Sequence, residues 1–152
     1  MFTAFDFVAL SPALRGSLQV LKITNGEIDD YEVETITKMW TIDNTAPAVI
    51  DLSNNPITHD ACQSLSRLLK VVKSLSLAHN DLTDYGVSCL FSTYGCKSTS
   101  YSFLTSLNLK ATNITDKSCD ILRDLFTNET FKLRELILDD NHGITNEGLP
   151  YY

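Results

Sequence analysis

The residues of this chain able to do chemistry are thinly spread. Its imidazoles are His59, His79 and His142, and its thiols are Cys62, Cys89, Cys96 and Cys119. A zinc site draws its ligands from spacings such as Cys-x-x-Cys or His-x-x-x-His, and neither occurs. Asp139, Asp140 and Asn141 ahead of Gly143 have the acidity of a calcium loop, yet the glycine comes one place early and no Glu stands at the twelfth position. Glycine-rich phosphate loops and the Gly-x-Ser-x-Gly elbow are missing as well. The expectation is a protein that is not an enzyme and needs no metal or cofactor.

What must then be positioned is a surface, and composition limits its kind. With 152 residues, 43% of them hydrophobic and 20% charged, the chain has enough apolar material for one continuous core. A net charge of −7 argues against electrostatic binding to nucleic acid. No run approaches the ~20 apolar residues of a membrane-spanning helix, and Asp6 interrupts the first apolar stretch, so neither a membrane partner nor a signal peptide is expected. Three of the four cysteines fall on predicted helices, as buried free thiols in a reducing compartment would, and a cytoplasmic location is expected. The acidic run Glu27, Asp29, Asp30, Glu32 and Glu34 reads as a solvated helix start.

The elements that carry the surface are set by one spacing. In Ser74 to Gly86, Leu75 and Leu77 point to one side of a short strand, Asn80 ends it, and Leu82 turns the chain inward. The same frame recurs near residues 18, 47, 72, 104 and 133, with Leu21 and Ile23, Ile50 and Leu52, Leu107 and Leu109, and Leu136 and Leu138 in the strand places. After each turn comes a helix N-cap candidate: Asp29, Thr58, Thr83, Thr115 or Thr145. Ala61, Gly86, Ser118 and Gly148 are small enough to let each helix lie close to its strand. Val33, Ile36 and Trp40, then Leu65, Leu68 and Leu69, then Val87, Leu90 and Phe91, then Leu122, Leu125 and Phe126 form inward helical faces. A strand and a helix in so few residues cannot bury both apolar faces alone, so stacked neighbours must cover them.

These motifs resemble those of leucine-rich-repeat proteins, and the long unit with its Leu-Thr-x-x-Gly-x-x-x-Leu helix is similar to the ribonuclease-inhibitor-like subclass. The resemblance implies an α/β solenoid of about five repeats over residues 18–152, with a parallel sheet on the concave face and helices on the convex face. It also implies an intracellular, eukaryotic protein that works by binding other proteins, as a scaffold or adaptor. A second implication is regulation of a small GTPase, since Ran GTPase-activating proteins carry this repeat type, although no Arg falls on the predicted strand-to-helix turns.

Residues 1–17 read as a segment capping the first coil, and residues 92–102, rich in Ser, Thr and Gly, as a surface loop. The last repeat reads as truncated, so the chain is expected to be part of a longer protein and to self-associate through an open C-terminal end. Asn55, Asn80 and Asn141 are expected to form an inward ladder satisfying backbone groups of neighbouring coils, with gaps at Gly26 and Thr112. On the concave face the frame places Lys22, Asp51, Ser76, Asn108 and Ile137 in one row, with Lys110 and Asp139 in the next, as the expected partner-binding site. The alternative is a rim of tyrosines, Tyr85, Tyr94 and Tyr101.

Overall fold

A computed structural model describes residues 6, 9, 13, 16–26, 28–92, 103–129 and 131–148. Five short strands, β1 (Val20–Lys22), β2 (Val49–Asp51), β3 (Ser74–Ser76), β4 (Ser106–Asn108) and β5 (Glu135–Ile137), form one parallel sheet in chain order. Between them run α1 (Asp30–Asp43), α2 (Cys62–Leu68), α3 (Thr83–Phe91) and α4 (Asp116–Phe126), with a 3₁₀ turn His59–Ala61 leading into α2. Successive crossovers of one hand put all four helices on the same side of the sheet. The result is an α/β solenoid of stacked strand-and-helix coils, each strand beginning two residues into its frame. Most of the segment 1–17 expected to cap it lies outside the described residues.

The core fills the space between sheet and helices. Ile50, Leu75 and Leu107 sit side by side at the centres of their strands, almost fully buried, while the residues flanking them are half exposed. Leu77, Leu82, Leu90, Leu65 and Leu68 close over them from the turns and helices. One expected core residue is displaced: Phe126 is 51% exposed. Phe131, supplied by the connection after α4, takes the inner place and packs edge-on against both Phe91 and Phe126.

Each turn reverses the chain through a residue in the left-handed region, namely Asn25, Asn54, His79, Ala111 and Asp140, immediately before the ladder position. The ladder itself is made of buried amides. Asn80 Nδ2 donates to Leu77 O (2.8 Å) and Ala78 O of its own coil and to Leu52 O of the coil before. Its Oδ1 accepts from Asn55 N and Ile57 N of that earlier coil. Asn55 serves coil one through Ile23 O and Ile28 N, and Asn141 serves coil four through Leu109 O, Thr112 N and Ile114 N. At coil four Thr112 has only a hydroxyl, which donates to Leu109 O within the coil.

A second set of bonds ties the helix starts together. Asp30 accepts from the backbone N–H and hydroxyl of Thr58, Asp84 from those of Thr115, and Asp116 from those of Thr145. The same threonines cap their own helical turns, accepting from Asp60 N, Lys117 N and Glu147 N, and Asp29 does so in a capping box with Glu32. Thr83 departs from the expectation that it too is an N-cap. It lies at φ +60°, and no side-chain cap bond is made at the start of α3. The physical reason is in the preceding coil, where His59 stands in place of the clamping aspartate and offers no carboxylate to hold Thr83 in the extended conformation.

The small residues also have a different neighbour from the one expected. A Cβ on Gly86 would meet Cys62 Sγ at 3.0 Å, and one on Gly148 would lie 2.0 Å from Asp116 Oδ1. The close approach is therefore to the helix start of the preceding coil rather than to the strand of the same coil.

Candidate interaction surface

The register across the sheet is uniform. Lys22 pairs with Asp51, Asp51 with Ser76, Ser76 with Asn108 and Asn108 with Ile137, so these five residues form one row on the face opposite α1 to α4. Parallel strands space such neighbours about 5 Å apart. Two residues back along each strand lies another row, Val20, Val49, Ser74, Ser106 and Glu135. The same alternation that gave the first row implies this one, which sequence reasoning passed over. Lys110 and Asp139 extend the face toward the turns.

Part of this polarity is already engaged within the chain. Asp51 Oδ1 accepts from Ser53 N (3.0 Å) and Ser53 Oγ (2.6 Å), and Ser53 Oγ lies 2.7 Å from Ser76 Oγ. Asn108 Oδ1 accepts from Lys110 N (3.0 Å), and Ser106 Oγ donates to Glu135 Oε2. Lys110 Nζ lies 3.1 Å from Asp140. Asp51 and Asn108 thus steady the strand ends, whereas at the ends of the row Ile137 is aliphatic and Lys22 makes no side-chain hydrogen bond or ion pair among the described residues. The centre carries the small side chains Ser74, Ser76 and Ala78, on or just after β3.

Tyr85 does not share this surface. Tyr85 is 65% exposed on the first turn of α3 and meets His59 edge-on, with ring centroids 5.3 Å apart. Tyr94 and Tyr101 lie outside the described residues. Along the turns runs a groove of about 510 Å³ lined by Pro56, His79, Asp81 and Asn113 among others, where Asn113 Nδ2 donates to Asp81 Oδ1.

Among the described residues no group of three or more His, Cys, Asp or Glu side chains is arranged to hold a metal ion. Burial pushes the Cys62 thiol up to about 12, and burial raises that of Cys119 as well, so neither is a ready nucleophile. Among the described residues no helix is long and apolar enough to cross a membrane.

The sequence profile described as a leucine-rich repeat matches residues 69–91 and 131–149, covering coil three and coil five of the solenoid. The chain has the fold of a leucine-rich-repeat solenoid. Among solved structures the repeat domain is similar to leiomodin-1 actin-binding site 2, with a TM-score of 0.68 over 88% of this chain and 78% of that one. Identity between the two is 17%, so the likeness is one of fold. No curated protein matches the leucine-rich-repeat chain by sequence at a significant level.

Proposed function

We propose that this chain is a non-catalytic protein-interaction module, a cytoplasmic scaffold or adaptor of the ribonuclease-inhibitor-like kind, whose partner docks on the sheet. The observation that carries this reading is the uniform register that aligns Lys22, Asp51, Ser76, Asn108 and Ile137 in one row on the sheet face opposite α1 to α4. Lys110 and Asp139 widen the same site. Buried thiols at Cys62 and Cys119 support a reducing compartment.

The docking face is tested by placing a photo-crosslinking residue at Ile137 and, in a separate variant, at the exposed Gln63 on α2. A protein adduct at Ile137 that Lys22→Glu suppresses is expected, with none at Gln63. Adducts at Gln63 as strong as those at Ile137 overturn the assignment. Lys22 and Ile137 are better probes than Asp51 and Asn108, whose side chains hold Ser53 N and Lys110 N. Actin is the first purified protein to add, because the structural neighbour is an actin-binding region. The GTPase-regulator reading is checked separately by turnover of a small GTPase. Among the described residues Arg67 and Arg123 lie on helices and Arg134 just before β5, so none is on a strand-to-helix turn.

A further inference from the structure

The joints between coils are not equivalent, and their differences divide the molecule. Coil one is held to coil two by the Asn55 amide and by the Asp30 carboxylate on Thr58. Coil four is held to coil five by the Asn141 amide and by Asp116 on Thr145. The two interior joints each lack one device. Between coils two and three the amide of Asn80 is present and the carboxylate is replaced by His59. Between coils three and four the carboxylate of Asp84 is present, gathering Thr115 N, Thr115 Oγ1 and Ser118 Oγ, and the amide is replaced by Thr112.

The two losses differ in consequence. Where the amide is present, Asn55 N–H and Ile57 N–H find their acceptor on Asn80 Oδ1 inside the core. The corresponding donors of coil three, Asn80 N–H and Leu82 N–H, find no such acceptor on Thr112, although both residues are buried. A buried donor without a partner costs more than a hydrogen bond lost at the surface. Losing the Asp clamp at His59 instead affects a half-buried turn, and the Thr83 N–H that the clamp would hold donates to Thr112 O.

We infer that the solenoid is built as two cooperative blocks, coils one to three and coils four to five, joined at the β3–β4 boundary with Asp84 as its principal side-chain bolt. Repeat proteins open where the interface between neighbours is weakest, because each coil contacts only the coils beside it. The boundary passes between Ser76 and Asn108, through the middle of the row on the face opposite the helices. A separation there parts the two halves of that surface, and anything that spans Ser76 and Asn108 holds it shut. The inference does not depend on that face being a docking site.

Amide hydrogen exchange under native conditions reads each joint directly, because single backbone bonds cross it. Leu77 N–H to Asn108 O and His79 N–H to Lys110 O report the third joint. Leu52 N–H to Ser76 O and Asn54 N–H to Ala78 O report the second. In the unaltered protein Leu77 and His79 are expected to exchange at least ~10-fold faster than Leu52 and Asn54. Asp84→Asn widens that gap and Thr112→Asn, which restores an amide at the ladder position, narrows it. Equal rates at the two joints, or a Thr112→Asn variant that leaves the gap unchanged, overturn the division. Should Asp84→Asn fail to fold, the unaltered protein and Thr112→Asn still decide the question.

Discussion

Thr115 gives both its backbone N–H and its hydroxyl to Asp84 of the preceding coil, at 2.8 and 2.6 Å. Thr83 occupies the same place one coil earlier, follows a coil bearing His59 instead of Asp, and sits at φ +60°. One exchanged side chain thus accounts for an unusual backbone conformation in the next coil. A β-branched residue is costly in the left-handed region, so the missing carboxylate has a measurable price.

His59→Asp is therefore expected to stabilise the protein by about 1 kcal/mol, the net worth of a well-placed hydrogen bond, while Thr83 returns to extended geometry. The edge contact of His59 with Tyr85 is lost in the exchange. Thermal melting checks the sign, and a melting temperature at or below that of the parent contradicts it.

The clamps also predict how the fold responds to acid. Burial opposes the charged form of Asp84, and the hydrogen bonds from Ser118 and Thr115 outweigh it, holding the carboxyl below its ordinary value. The Thr145 hydroxyl and N–H lower that of Asp116 in the same way. A carboxyl depressed in the folded state stabilises fully above its unfolded pKa near ~3.9, and that stability is lost as pH falls through the lower folded value. Melting temperature should be level from neutral pH down to about 5 and fall below about 4. In Asp84→Asn and Asp116→Asn that fall should be shallower, from a lower starting value. An acid decline as steep as the parent's in both variants would show that these carboxylates are not its source.

Asn80→Ala removes one acceptor shared by two buried N–H groups and one donor shared by Leu52, Leu77 and Ala78 carbonyls. A loss of roughly 2 to 4 kcal/mol is expected from two orphaned donors. Gln63→Ala, exposed on α2, is the neutral comparison in urea unfolding. Asn44, which lies in a connecting segment by sequence, is unsuitable for that purpose because it is the left-handed C-cap of α1. Matching urea midpoints for Asn80→Ala and Gln63→Ala would contradict the ladder's role.

Thiol reactivity should follow exposure and thiolate character together. Cys62 is fully buried with its thiol raised to about 12, Cys119 is buried with its thiol raised, and Cys89 is half-buried. Brief alkylation followed by peptide mass spectrometry is expected to label Cys89 ahead of Cys119 and Cys119 ahead of Cys62. Early labelling of Cys62 would mean that α2 and α3 do not pack through Gly86 as described.

The repeat was legible in the sequence because its signals are local. Leu75 and Leu77 two apart, Asn80 three beyond and Leu82 two further define strand, turn and re-entry without reference to any other coil. Once those frames are aligned, Lys22, Asp51, Ser76, Asn108 and Ile137 must fall in one row, since side chains alternate along every strand. What the sequence could not display is pairing between coils. Asp84 reads locally as an acidic residue suited to a helix start, and only the stacked structure reveals that it grips Thr115, 31 positions later. Thr83 has the same residue type and the same frame position as Thr115, but its conformation is decided by His59 in another coil. Phe126 likewise matches the inward position of Leu69, yet Phe131 reaches the core first. Periodicity fixes where each side chain points along its own strand or helix, while the neighbour it meets is set by stacking, where volume and hydrogen-bond partners are shared between residues remote in the chain.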